Sequence, residues 1–111
     1  MKWDIGHITS GGEQVAAWAK GARVVKAFNS TGAGNMANPD YGAQKPTLFI
    51  CGDDAEAKQV ASQLTEELGL EACDCGPLGI ARYLEPVAML WIHLAYVQGL
   101  GPDIALKLLK R

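Results

Sequence analysis

The chain has 111 residues, 49% of them hydrophobic and 20% charged, and a net charge of −2. That length predicts one domain over residues 1–111 with one modest core. With no basic patch and no interleaving of aromatic and basic residues, nucleic acid is not an expected partner. The opening Met1-Lys2-Trp3-Asp4 has no apolar stretch of the kind a secretory signal needs. The uncharged run 86–102 is interrupted by His93, Gln98, Gly99 and Gly101 and falls short of the roughly 20 residues that span a bilayer. A cytoplasmic protein with no membrane partner is therefore expected.

In chain order, Ser10-Gly11-Gly12-Glu13 has the spacing of a capping box, in which the Ser10 hydroxyl accepts from the backbone N–H three residues on. Val15, Ala16 and Trp18 give the short helix that follows an apolar side, and Gly21 is placed to end it. The segment 23–28 (RVVKAF) reads as a strand. After it comes a polar loop in which Gly32-x-Gly34-x-x-Ala37, followed about 20 positions later by Asp53, has the spacing of a dinucleotide-binding fingerprint. Three features speak against that reading. Asn29-Ser30-Thr31 separate the strand from the first glycine, whereas the pyrophosphate turn needs glycine at the strand end. Asn38-Pro39 cuts the following helix to barely two turns. Asp53 stands just ahead of an apolar-periodic run, where an acidic residue caps a helix. The loop instead suits a ligand at a strand's end: Asn29, Ser30 and Thr31 carry side-chain donors and Gly32 permits close backbone approach. Plain turn formation by the same residue types is an equal alternative on these grounds.

The segment 47–52 (TLFICG) is nearly all apolar, which places it as a central strand. Asp53 or Asp54 then caps a helix through about residue 69, with Ala57, Val60, Ala61, Leu64 and Leu68 at helical spacing and Gly69 as its stop. A third strand, 70–75, ends at Gly76-Pro77. A long apolar helix is expected from about 79 to 98, with Pro86 kinking it or starting a second segment. After the Gly99-Leu100-Gly101-Pro102 break, the last residues (DIALKLLKR) are expected to form a short helix. Alternation of this kind implies an α/β layered domain with right-handed crossovers.

The chemistry-bearing side chains are few. Cys51, Cys73 and Cys75 have no metal-ligand spacing; Cys73 and Cys75 share one strand face, and all three read as reduced, buried thiols with no metal and no disulfide. Arg82 and Glu85 are spaced for an i,i+3 helical pair. His93, within MLWIHLAY, reads as a hydrogen-bonded packing residue, and His7 lies in a loose N-terminal segment. A helix apolar on all sides has to be covered by something, and a short sheet has open edges, so a homodimer through the 79–98 helix is expected.

Four stretches, SGGEQVAAWAKGARVVKAFNSTG, TLFICGDDAEAKQVASQLTEELG, DCGPLGIARYLEPVAMLWIHLA and GLGPDIALKLL, together resemble the C-terminal half of the NADPH-dependent reductases of the deazaflavin coenzyme F420 and related NADP oxidoreductases. The resemblance covers nearly all of residues 9–110. Its most specific parts are Cys51-Gly52-Asp53-Asp54, Gly76-Pro77-Leu78 and Ala81 to Pro86. It implies a three-stranded half of a Rossmann-like sheet with flanking helices and a long apolar C-terminal helix. The glycine-rich half for NADP has no counterpart in this sequence. The resemblance also implies that Asn29, Ser30, Thr31, Gly32 and Ala33 face the acceptor, with Ile104 of the last helix near the same cleft. Hydride passes directly between NADP(H) and F420 in such proteins, so no catalytic acid, base or nucleophile is expected in this chain. A nucleotide-binding half supplied from elsewhere is then an implied partner. A free-standing, non-catalytic binding or assembly module is the alternative.

Overall fold

A computed structural model describes residues 9–27 and 40–111. His7, Phe28, the loop residues Asn29 to Ala33, and Gly34 and Ala37 of the fingerprint spacing lie outside them. Helix α1 (Gly11–Trp18) starts as the capping box requires: Glu13 N–H donates to Ser10 Oγ at 3.1 Å, and that hydroxyl donates to the Glu13 carboxylate at 3.0 Å. Gly21, at φ +86°, turns the chain after it. Ala16 packs on the core, whereas Val15 and Trp18 are exposed, so only part of the expected apolar side is used.

The sheet has three strands in the order β1 (Val25–Lys26), β2 (Thr47–Gly52), β3 (Glu71–Asp74). β2 is central, as its apolar content predicts. β2 and β3 are parallel, joined through helix α2 (Ala55–Glu67), with Thr47 opposite Glu71 and Ile50 opposite Asp74. β1 departs from the expected crossover pattern. It is antiparallel to β2, Val25 opposite Gly52 and Lys26 opposite Cys51, and it is shorter than 23–28. Hydropathy could not reveal this, because it carries no strand direction.

Side chains alternate across a strand. Leu48, Ile50 and Gly52 therefore face α2, where a Cβ on Gly52 would lie 3.3 Å from Lys58 Cγ and 3.0 Å from Val24 O. Thr47, Phe49 and Cys51 face the opposite side, where Cys51 joins Leu78, Ala81 and Leu84 in a buried cluster. Within α2 the expected inward stripe is corrected. Val60, Leu64 and Leu68 are exposed, while the neighbouring stripe holds the fully buried Thr65, whose hydroxyl donates to Ala61 O at 2.8 Å. Two adjacent stripes share the 3.6-residue period, and the one with small side chains is the one that lets the helix sit close to the sheet. Gly69 ends the helix at φ +88°.

The stretch read as one long helix is built in three pieces: a 3₁₀ turn (Leu78–Ile80), helix α3 (Ala81–Ile92) and a π-helical turn (His93–Val97). Pro86 lies inside α3 and does not start a new segment. Trp91 and Ala95 are buried, but Leu90, Tyr96 and Val97 are exposed in the single chain. His93 is exposed as well, not packed as expected.

The last expected helix is absent; residues 102–111 have no helical turn. Their backbone is bonded to other elements instead. Thr47 N–H donates to Leu106 O at 2.8 Å, Leu108 N–H donates to Thr47 Oγ1 at 2.9 Å, and the Trp91 indole N–H donates to Ile104 O at 2.9 Å. Tertiary partners at these groups outcompete the helical ladder, which at nine residues is marginal by itself.

Candidate functional site

The three motifs that carry the resemblance are joined to one another. Asp54, not Asp53, caps α2 by accepting from Ala57 N–H at 2.8 Å. Asp53 reaches across to accept from Leu78 N–H at 3.0 Å, at the start of the 3₁₀ turn. Gly52 N–H donates to Gly76 O at 3.0 Å. Arg82 and Glu85 do not pair with each other. Both reach α1: Arg82 Nε donates to the Glu13 carboxylate at 2.8 Å, and the two Glu85 oxygens accept from Gly11 N–H and Gly12 N–H at 2.8 and 2.9 Å. Lys26 Nζ lies 3.5 Å from the same carboxylate. Spacing along one helix favoured the local pair, but α1 offers unpaired N–H groups and an acidic side chain, and charge-assisted bonds to them are stronger.

Among the described residues three helical starts are thus closed by a carboxylate of this chain: Glu85 on α1, Asp54 on α2 and Asp53 on the 3₁₀ turn. A dinucleotide's pyrophosphate binds at helix N-termini through the same N–H groups. The described residues therefore do not fit NADP.

The thiols are equally closed. Cys75 packs on the cluster containing Cys51, and its Sγ lies 3.6 Å from Cys73 O. Burial pushes the Cys75 thiol up to about 11 and raises that of Cys51, so neither is a thiolate at neutral pH. All three cysteines are free, and among the described residues no group of side chains could hold a metal ion.

One place for a ligand is the end of the sheet toward which β1 runs. Being antiparallel to β2, β1 heads at Ala27 toward the N-terminal end of β2, where Thr47 lies. The chain is next described at Asp40 to Pro46, on the near side of Thr47. There Gly42 N–H donates to the Asp40 carboxylate at 3.0 Å, and Tyr41 bridges to Gln44. Tyr41, Gln44 and Lys45 border a hollow of about 50 Å³ whose other wall is Ala105, Leu106 and Lys107. Ile104 is adjacent in sequence and fixed by Trp91, so the described candidate residue is at this end. Among the described residues bordering the hollow there is no carboxylate, imidazole or thiol. Such a wall can hold and orient a ligand, and its Tyr41 phenol and Lys45 and Lys107 amines are the groups in it able to move a proton. At that volume it is one wall of a site, not an enclosure, since ligand pockets run from roughly 300 Å³. Thr47 and Trp91 were not singled out from sequence. The single available signal was a threonine in an otherwise apolar strand.

No family model matches the chain. It is similar to metalloreductase STEAP3 of Rattus norvegicus, 34% identical over 84 residues, which cover 75% of this chain and 17% of that protein. It is also similar to the F420-dependent NADP reductase of Methanothermobacter marburgensis, 36% identical over 76 residues, covering 68% of this chain and 34% of the relative. In fold it is similar to a solved protein of Arthrobacter sp. FB24, provisionally named an F420-dependent NADP reductase. That match has a TM-score of 0.88 at 29% identity, over 98% of this chain and 50% of the other. A hypothetical protein from Sinorhizobium meliloti matches with a TM-score of 0.66 at 30% identity, over all of this chain and 48% of that one. The chain therefore spans about half or less of each of these proteins.

Proposed function

Since this chain is a relative of the F420-dependent NADP reductases and corresponds to the C-terminal half of that family, we propose that it is the acceptor-side portion of such an oxidoreductase. In this reading it acts in the cytoplasm and forms one wall of a site for a deazaflavin-like hydride acceptor. Asn29, Ser30, Thr31, Gly32 and Ala33 contribute backbone and side-chain donors, and Ile104 an apolar contact. NADP(H) is held by a separate nucleotide-binding half, and the two halves together carry out hydride transfer, which this chain by itself does not. The protein's part in such a transfer is orientation and exclusion of water.

The observation that carries the reading is the hollow at the Thr47 end of the sheet, toward which β1 is directed and where the chain resuming after residue 39 meets Ala105, Leu106 and Lys107 of the tail. The closure of the three described helical starts by internal carboxylates supports the nucleotide's place being elsewhere. Val15 and Trp18, exposed on α1, offer an apolar surface for the other half. The exposed face around Leu90 and Val97 is proposed as the contact in a homodimer.

Isothermal titration of the chain with F420, a flavin and NADP tests this. The expected outcome is measurable binding of F420 or flavin and none of NADP. Absence of binding to all three would turn the assignment to a non-catalytic binding or assembly module. In an enzyme reconstituted with a nucleotide-binding half, Gly32→Val is expected to weaken acceptor binding and leave NADP binding nearly unchanged. Equal loss of both would favour the fingerprint reading of that loop.

A further inference from the structure

We propose that the hollow between the outer edge of β3 and residues 107–110 of the tail is a docking site for an extended acidic segment of another protein, bound by strand addition. This goes beyond the acceptor-side reading and does not depend on it. The hollow measures about 570 Å³, against about 50 Å³ for the one beside Thr47, and so lies within the roughly 300–1,000 Å³ of ligand sites. β3 stands at one edge of the described sheet. In a parallel ladder every second residue turns both of its backbone groups to the neighbouring strand. Glu71 N–H donates to Pro46 O at 2.9 Å, and Cys75 N–H donates to Ile50 O at 2.7 Å. The N–H and C=O groups of Ala72 and Asp74 therefore point away from β2, to the side where a further strand would pair. Both residues border the hollow.

The side chains around this edge decide what it takes. Charged residues commonly protect a sheet edge from pairing. Here the two edge carboxylates are neutralised within the chain: Glu71 lies 3.0 Å from Lys107 Nζ, and Asp74 lies 3.1 Å from Lys58 Nζ. Lys110 also borders the hollow and has no carboxylate partner among the described residues, so the charge left over is positive. Leu108 and Leu109, 40% and 73% exposed, add an apolar wall. That wall is held in place, because Leu108 N–H donates to the buried Thr47 hydroxyl at 2.9 Å. In strand addition the main-chain bonds supply affinity and alternate side chains supply specificity. The open edge, the leucines and the unpaired ammonium thus call for an extended segment with apolar and acidic side chains. The tail of a second copy does not suit, since residues 107–111 hold Lys107, Lys110 and Arg111 and no acidic group.

The test uses the full chain and two short, end-capped, labelled peptides, one of alternating valine and glutamate and one of alternating valine and lysine. Fluorescence anisotropy gives the affinity, and amide hydrogen exchange gives the place. The valine–glutamate peptide is expected to bind with a Kd below about 1 mM and to slow exchange at Ala72 and Asp74. It is expected to bind about 5-fold tighter than the valine–lysine peptide, the scale of an exposed ion pair. Ala72→Pro removes an outward N–H, which an edge strand tolerates, and is expected to weaken binding about 2- to 13-fold, the loss of one hydrogen bond. Lys110→Glu is expected to abolish the preference for the acidic peptide. Binding of neither peptide, equal binding of both, or protection elsewhere with Ala72 and Asp74 unchanged overturns the site. Lys110→Glu alters an exposed side chain, so the comparison stays decisive if Ala72→Pro does not fold.

Discussion

Glu13 is the residue whose charge is most clearly tied to a partner. The hydrogen bond from Arg82 holds its carboxyl below the ordinary value of 4.5, against the opposing effect of burial, and the Ser10 hydroxyl adds to the lowering. Asp74 is likewise lowered from 3.8, first by the Gly76 N–H and then by Lys58, with burial again opposing. A carboxyl whose folded value lies below its unfolded one contributes stability above the unfolded value, and that contribution is lost as pH falls through the folded one. Urea midpoints are therefore expected to hold steady for these groups from pH 7 to pH 5 and to drop as the pH is lowered past 4.5 and 3.8. Glu13→Gln is expected to lower the midpoint at pH 7 and to flatten the acid limb. An acid limb as steep as that of the parent would show that the Arg82 contact adds nothing. Glu85 illustrates why such partners escape a linear reading: the two N–H groups that donate to it, those of Gly11 and Gly12, lie more than 70 positions away.

Among the elements, the β1–β2 pair depends on Gly52. Its position leaves a Cβ at 3.0 Å from Val24 O and 3.2 Å from Val25 Cγ2, both on the neighbouring chain segment, and at 3.3 Å from Lys58 Cγ. The lysine stem can shift, but the carbonyl belongs to the backbone of the strand pair. Gly52→Ala is expected to cost about 1–3 kcal/mol, the range for overfilling a packed site, measured as a lower urea midpoint. A midpoint unchanged from the parent would mean that β1 moves freely. That glycine was legible as part of a turn motif, but not as the point where β1 approaches. The helix α2 is the converse case. Its cap, length and stop were legible because they are local, whereas the face it buries was read one stripe off. Val60 and Leu64 have the hydropathy of a core, and only the fold shows that Thr65 is the residue fully buried.

For the molecule as a whole, Met89, Leu90, Ile92, His93 and Val97 border an open apolar hollow of about 410 Å³, and Val97 is 73% exposed. Exposed apolar clusters are places where proteins meet other proteins, membranes or ligands, and a second copy of the chain is the occupant proposed above. If it is the proposed dimer contact, light scattering at micromolar concentration is expected to give twice the chain mass. Val97→Asp, which places a charge in the contact, is expected to give the monomer with an unchanged far-ultraviolet spectrum. A parent chain that is already a monomer would count against the dimer. No helix among the described residues is long and apolar enough to cross a membrane.

What the sequence determined by itself was whatever depends on neighbours along the chain. The capping box at Ser10, the central strand 47–52, the cap and stop of α2, and the ancestry carried by the motifs all belong there. Only the tertiary structure decided the direction of β1, the partners of Arg82 and Glu85, the division of labour between Asp53 and Asp54, and the extended form of the tail. These are competitions between a local bond and a distant one, and a distant partner wins when it is already fixed in place. The tail shows this most directly. Residues 103–111 have a composition that suits a helix, but Thr47 and Trp91 hold its backbone groups, and the local ladder that would have replaced them is too short to prevail.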